Sequence, residues 1–262
     1  MTNAAQADAI AEPAAQQPNR AALRVVALIP ALNEEKSICY VLNDIPREFC
    51  HAVVVIDNGS TDRTPEIAAS FGAQVITERQ RGYGAACLAG IRALPSETAI
   101  VVFLDADYSD FPKEMNKLVQ PILEDRADLV IGTRMHDRRT RDALTPQQRW
   151  GNGLATRLMR LFWGVEYTDL GPFRAIRRTS LEALGMTDQN FGWTVEMQIK
   201  AALAGLKVME LPVQYRARIL GRSKISGTVR GTALAASKIL YTIFRYAWLT
   251  RHSSRVKGLR AS

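Results

Sequence analysis

Ile100-Val101-Val102-Phe103-Leu104 runs straight into Asp105-Ala106-Asp107. The run is short, rich in β-branched and aromatic residues, and nearly free of polar alternation. It reads as a strand covered on both faces, as in a parallel sheet flanked by helices. In open α/β sheets ligands sit beyond the carboxyl ends of the strands. Side chains two apart on a strand share a face, which puts Asp105 and Asp107 on one side. Neighbouring carboxylates repel, and an oxygen-seeking cation such as Mg²⁺ or Mn²⁺ relieves the repulsion. The competing reading is a helix cap, a job that Asp110, ahead of Phe111-Pro112, suits better. The pair therefore reads as a cation and diphosphate site.

Two more junctions of this kind lie upstream. Val53-Val54-Val55-Ile56 ends in Asp57-Asn58-Gly59-Ser60-Thr61-Asp62. Asp62, shortly before Pro65, suits a helix start. Asp57 fits either a hydrogen bond to a ligand or an Asx turn. Leu28-Ile29-Pro30-Ala31-Leu32-Asn33-Glu34-Glu35 closes the first strand, with Asn33 a candidate cap and the two Glu at the positive end of a helix. Three strand ends thus deliver acids to one edge. Arg81-Gly82-Tyr83-Gly84-Ala85-Ala86 opens a helix with small residues, which admit a ligand or another backbone. It is not a dinucleotide fingerprint, because Cys87 takes the third glycine position and the motif does not follow the first strand.

Working outward, strands are expected over Arg24–Ile29, Ala52–Ile56, Gln74–Thr77, Ala99–Leu104, Asp128–Gly132, Phe173–Arg177 and Lys207–Val213. Helices are expected over Glu34–Asn43, Pro65–Phe71, Ala85–Leu94, Lys113–Leu123, Asn152–Trp163 and Thr194–Ala204. This alternation gives an α/β fold with a mostly parallel sheet between helices. Arg134–Pro146 is polar, Arg-rich and aperiodic, as a loop over a site would be.

The 262 residues are 47% hydrophobic and 23% charged, which suits a globular chain with a sizeable core. Cys39, Cys50 and Cys87 have no metal-ligand spacing and cannot all pair, so a reducing cytoplasm is expected. Residues 1–21, rich in Ala, Gln and Pro without an apolar core, read as a disordered tail rather than a signal peptide. The net charge of +8 is one-sided: Gln214–Ser262 holds eleven Lys/Arg and no acid. Such a tail favours phosphate groups or an anionic membrane surface. Ala233–Leu249 is the most apolar stretch, but Lys238 and Arg245 interrupt it, so it would lie on a membrane or on protein rather than cross a bilayer. Few clustered aromatics accompany the charge, and nucleic acid is not an expected partner.

In their order and spacing, Pro30-Ala31-Leu32-Asn33-Glu34, Asp57-Asn58-Gly59-Ser60-Thr61-Asp62, Arg81-Gly82-Tyr83-Gly84, Asp105-Ala106-Asp107, and Arg218 with Gly221-Arg222-Ser223-Lys224 resemble family 2 glycosyltransferases of the GT-A fold. The nearest likeness is to dolichyl- and polyprenyl-phosphate sugar synthases, over about residues 24–230. The resemblance implies a nucleotide-sugar site lined by Pro30, Glu34, Asp57, Gly82 and Asp105, with Asp107 holding the metal. Asn58 stands where the family usually has Asp. It keeps hydrogen-bonding ability, loses a charge, and leaves the nucleotide preference open.

The acceptor side follows from the later segments. Asp169-Leu170-Gly171-Pro172-Phe173-Arg174 resembles the family's stretch before its acceptor-side strand, though a turn and a salt bridge also fit. Glu196 holds a helix position where the family often has an acid, and is either a general base for a hydroxyl acceptor or a solvated helix residue. A lipid phosphate arrives ionised and needs cations instead. Arg134, Arg174, Arg218 and Lys224 are the candidates, with Arg222 beside them. The expectation is an inverting, cytoplasmic or peripheral hexosyltransferase using UDP-glucose or GDP-mannose. Residues 22–230 would form the catalytic domain and 231–262 a basic amphipathic helix and tail. The alternatives are transfer to a hydroxyl with Glu196 as base, or a non-catalytic nucleotide-sugar binder.

Overall fold

Seven strands form one sheet in the order β3-β2-β1-β4-β6-β5-β7. They are β1 Arg24–Ala31, β2 Ala52–Asp57, β3 Gln74–Thr77, β4 Thr98–Phe103, β5 Leu129–Thr133, β6 Arg174–Arg177 and β7 Val208–Pro212. The computed structural model describes residues 24–218, 220 and 229–259. β6 runs antiparallel to both β4 and β5, and the other pairings are parallel. Its insertion leaves β5 pointing the same way as β4, so loops after β1, β2, β4 and β5 all emerge at one edge. The strand boundaries match the sequence expectations to within about two residues, the usual scatter of strand ends.

The central strands are apolar on both faces because both faces are covered. On one, α1 (Ile38–Asp44) and α4 (Met115–Leu123) pack Ile38, Val41, Leu42, Met115 and Leu118 onto Val25, Ala27, Val53, Ile100 and Val102. On the other, α3 (Tyr83–Arg92), α7 (Arg178–Leu184) and α8 (Trp193–Leu203) pack Ala86, Cys87, Leu181, Trp193 and Met197 onto Leu28, Val54, Val101 and Phe103. Val101, Val102, Phe103 and Leu104 are wholly buried. At about 1.5–3 kcal/mol for each large apolar side chain removed from water, this strand is a firm base for the two acids that follow it.

The helical layer extends through α6 (Pro146–Trp163) and the C-terminal α9 (Val229–Leu259), which pack with α8 around Ala155, Met159, Val195, Ile199 and Ile243. A reciprocal capping box opens α6: Thr145 Oγ1 accepts from the Gln148 N–H while Gln148 Oε1 accepts from the Thr145 N–H. The helix α2 spans Thr64–Ser70.

Helix α1 begins at Ile38 rather than Glu34 and α6 at Pro146 rather than Asn152, and three further local differences from the sequence reading have physical causes. Lys113–Leu123 splits into a 3-10 turn, Pro112–Glu114, and α4, because Pro112 starts a tight turn. The expected loop 134–146 contains a short helix α5, Arg138–Asp142, nucleated by Asp137 accepting from the Arg139 N–H. α7, absent from the sequence reading, has seven residues, too few for a clear period. Residues 1–21, expected as a tail, lie outside the described residues.

Candidate active site

The chain crosses the sheet edge after β1, β2 and β4 at a cavity of about 460 Å³. Pro30, Ala31, Leu32 and Glu34 line it from β1, Asn58 from β2, and Asp105, Ala106 and Asp107 from β4. Arg81, Gly82 and Tyr83 close one side, and Asn190, Phe191 and Arg218 another. Asp105 and Asp107 both reach the cavity, but the means is a turn, since β4 ends at Phe103. Tyr108 takes a left-handed φ of 61° immediately after them, an uncommon conformation for a residue with a side chain. Its hydroxyl donates to Asp44 at 2.6 Å, and the Arg216 guanidinium lies 3.8 Å from its ring centre, so the turn is held on two sides.

The electrostatics are those of crowded acids. Burial, reinforced by Asp107, pushes the Asp105 carboxyl up to about 7. Behind it Asp110 is pushed up as well, by burial and then by Asp105 and Asp107. One Asp110 oxygen and the Ser109 hydroxyl are buried without a hydrogen-bond partner among the described residues. The Arg218 guanidinium answers part of this charge: Nη1 donates to Glu34 Oε1 at 2.9 Å, and Nη2 lies 2.9 Å from Asp107 Oδ2. Asp107 Oδ1 accepts from the Ser109 N–H at 2.9 Å. These acids therefore already draw in a cationic group, which is the behaviour a divalent ion requires. Among the described residues no three His, Cys, Asp or Glu side chains form a complete metal cage. Asp105 and Asp107 fit a cation that also takes oxygens from a ligand and water.

Of the expected nucleotide-sugar residues, the structure brings Pro30, Glu34, Gly82 and Asp105 to the cavity. Asp57 lies behind it, buried, with Oδ1 accepting from the Ser60 N–H at 3.0 Å, an Asx-type turn. Its neighbour Asn58 lines the cavity and organises it. The Asn58 amide donates to Glu78 O (3.0 Å) and Gln80 O (2.7 Å), and its oxygen accepts from the Gly82 N–H at 2.8 Å. Gly82 has φ +146°, and a Cβ there would lie 2.1 Å from Gln189 O, so this glycine permits the 82–85 turn to meet the 188–190 loop. Asn33, a candidate cap, instead ties the first two loops by accepting from the Thr61 N–H at 2.7 Å.

Among the described residues, the acceptor-side candidates Arg134, Arg174 and Arg218 do not converge. Arg174 is wholly buried, does not line the cavity, and donates to Gly171 O, Leu170 O and Thr194 O. Desolvation lowers its pKa to about 10. An acceptor phosphate has no path to it. Arg134 grips Asp169 through Nε and Nη2, both at 2.8 Å, and this buried partner holds its pKa high against desolvation. Arg218 stands with the donor-side acids. Lys224 and Arg222 lie outside the described residues.

Glu196 is 1% exposed and does not line the cavity. Its carboxylate accepts from the Thr187 N–H and hydroxyl, the Asp188 N–H and the Tyr246 hydroxyl, and pairs with Lys200 at 3.0 Å. Burial alone would raise its pKa, but these donors together hold it below the usual carboxylate range. A carboxylate so placed is a weak proton acceptor. The sequence did not single out Asn190 and Phe191 as cavity residues, because they sit on a loop without a motif and reach the cavity by folding against Gly82 and Gly84.

Comparison with known proteins agrees with this geometry. The model of the family described as Glycosyl transferase family 2 matches residues 26–185. An uncharacterised glycosyltransferase of Mycobacterium bovis is 39% identical over 80% of this chain and 94% of its own length. A dolichyl-phosphate hexose transferase of Haloferax volcanii is 36% identical over 78% and 88%. An undecaprenyl-phosphate mannosyltransferase of Micrococcus luteus is 29% identical over 81% and 91%. In fold, the chain superposes with a TM-score of 0.67 on glucosyl-3-phosphoglycerate synthase from Mycobacterium tuberculosis in complex with Mn²⁺, UDP-glucose and phosphoglyceric acid. The two share 22% identity over 86% of this chain and 81% of that one. The architecture is thus that of a GT-A glycosyltransferase. On the span of the family match and the identity to its relatives, this chain belongs to glycosyl transferase family 2.

Proposed function

We propose that this enzyme transfers a hexose from a nucleoside-diphosphate sugar to a polyprenyl phosphate, with inversion at the anomeric carbon. The observation that carries the reading is the convergence of Asp105, Asp107 and Glu34 on one cavity at the sheet edge, with the loop pinned by Asn58 forming its wall. Pro30, Ala31 and Leu32 offer an apolar seat for a nucleoside, and the nearby polar groups of Asn58 and Arg81 supply directional contacts. UDP-glucose and GDP-mannose are the donors to try first.

Asp107, with Asp105 behind it, would hold the divalent cation. When bound, that ion supplies positive charge against the charge that develops on the departing diphosphate. Asp105 would face the sugar, and its carboxyl, pushed up to about 7 by burial and Asp107, would be drawn to its ionised form by a bound cation. Arg218, within reach of both Glu34 and Asp107, would meet an anionic phosphate at this mouth. Lys224 is a further candidate for that phosphate, on the resemblance of its segment to the family.

A phosphate acceptor agrees with the surroundings of Glu196. Its oxygen is already ionised near neutral pH, so attack on the anomeric carbon needs positioning and charge neutralisation rather than proton removal. The relatives named for dolichyl-phosphate and undecaprenyl-phosphate transfer support the same class. Purified protein, offered UDP-glucose or GDP-mannose with Mn²⁺ or Mg²⁺, tests the proposal through nucleoside diphosphate release. Release that rises with added polyprenyl phosphate and is abolished by EDTA is expected. Release indifferent to the lipid contradicts the acceptor.

A further inference from the structure

We propose that the outer face of α9, with the adjoining ends of α6 and α8, is a docking surface for an anionic lipid bilayer. α9 has one face committed to the protein: Ile239, Thr242, Ile243, Tyr246 and Ala247 pack against or lie buried beside α6 and α8. The opposite face carries Leu234, Tyr241, Phe244 and Trp248, all more than half exposed. At 3.6 residues per turn these four fall within about 80° of the helix circumference. Isolated exposed apolar residues are ordinary, but an aligned aromatic stripe is not.

The stripe does not stop at the helix. Phe162 of α6 meets Phe244 edge to face, with ring centres 5.8 Å apart. Leu161 and Leu203 are exposed beside it, at 74% and 48%. A groove of about 850 Å³ opens there between Phe162, Trp163, Leu203, Phe244 and Trp248.

Charge identifies the occupant. The same helical projection places Arg245 along one border of the stripe and Arg251 along the other, with Lys238 on Arg245's side but paired to Asp188. No Asp or Glu occurs between Gln214 and Ser262. The nearby acid on α6's side, Glu166, is paired with Arg160 at 3.0 Å. An apolar aromatic band bordered by Lys and Arg matches the bilayer interface, where aromatic rings sit at headgroup depth and cations meet anionic lipid. A second copy of the chain would set this acid-free helix against an identical set of cations. Among the described residues no helix is long and apolar enough to cross a membrane, so α9 lies along the surface.

This face also has a fixed relation to the cavity. Lys238 Nζ is 2.9 Å from Asp188 Oδ2, two residues from the cavity residue Asn190. α9 is thereby tied at Lys238 to the loop that carries Asn190 and Phe191 to the cavity, and the stripe continues along α9 from Lys238 for about 15 Å to Trp248. A bilayer lying on α9 would bring its headgroups to the cavity mouth.

Co-sedimentation with vesicles containing phosphatidylglycerol and no polyprenyl phosphate tests the surface apart from the choice of acceptor. The full chain is expected to pellet with them, and at least fivefold less with pure phosphatidylcholine vesicles. Tyr241→Ser/Trp248→Ser and, separately, Arg245→Glu/Arg251→Glu are each expected to lower pelleting at least fivefold, with unchanged far-ultraviolet circular dichroism. Hexose transfer to detergent-dispersed lipid should persist in both variants, so failure of docking and failure of the proposed reaction are distinguishable. Absent pelleting, pelleting equal for wild type and both folded variants, or a vesicle-free dimer that Tyr241→Ser/Trp248→Ser converts to monomer overturns the proposal.

Discussion

Arg218 Nη2 lies 2.9 Å from Asp107 Oδ2, while Nη1 of the same guanidinium donates to Glu34 at 2.9 Å. One positive side chain thus bridges acids from the ends of two different strands, inside the cavity that a donor would enter. A cation arriving at Asp107 competes with that bridge. Arg218→Gln is expected to tighten Mn²⁺ binding to the donor-free protein about tenfold, the equivalent of one charged hydrogen bond. Titration followed by electron paramagnetic resonance reads this directly. Unchanged or weaker Mn²⁺ binding would show that the bridge and the ion do not share Asp107.

Glu196 gives a prediction on stability with a definite sign in pH. Its carboxyl is held below its ordinary value by the hydrogen bonds from Thr187, Asp188, Lys200 and Tyr246, against the opposing pull of burial. The stabilisation is therefore complete above the unfolded value and disappears as pH falls through the lower folded value. Glu196→Gln should cost about 2 kcal/mol at pH 7, with the difference from wild type shrinking below about pH 4. Urea unfolding at several pH values measures it. Turnover with a phosphate acceptor should fall only modestly. A loss of a thousandfold in a folded variant would reinstate Glu196 as base.

Asn58 acts through the loop it pins. Asn58→Asp keeps an acceptor for the Gly82 N–H but removes both donors to Glu78 O and Gln80 O. The expected result is a donor KM raised several-fold with kcat nearly retained, and a stability loss of about 1–2 kcal/mol. Steady-state kinetics alongside thermal unfolding would detect the split. A kcat loss without a KM change would contradict a positioning role.

Arg174 was attractive in sequence as a phosphate ligand, and its burial against three carbonyl oxygens changes what its substitution should do. Arg174→Lys preserves charge but not the planar fork. About 3 kcal/mol of stability should be lost, with the acceptor KM unaltered in whatever fraction remains folded.

The parts of this molecule that were legible in sequence are those dictated locally. Buried strands announce themselves by unbroken apolar runs, and acids directly after such runs had to lie at the sheet edge. Asp105 and Asp107 were found in that way, while Glu34 was assigned to the cavity through the resemblance to the family. Long-range partnership was not legible. Nothing near Arg134 in sequence indicates that it binds Asp169, thirty-five positions away, nor that Arg218 reaches back to Glu34. Asp57 and Asn58 show the limit most sharply: the strand ends between them, and a turn of the backbone puts Asn58 rather than Asp57 on the cavity. Asn190 and Phe191 belong to the cavity because Gly82 and Gly84 let two loops touch, a consequence of packing rather than motif.

The central claim is that the acceptor brings its own negative charge. It is tested most directly by offering labelled donor and Mn²⁺ with either a polyprenyl phosphate or the matching polyprenol, and counting label in the lipid phase. Transfer to the phosphate alone, lost in Asp107→Asn, is the predicted result. Equal transfer to the alcohol, or transfer that survives Asp107→Asn, would contradict the account.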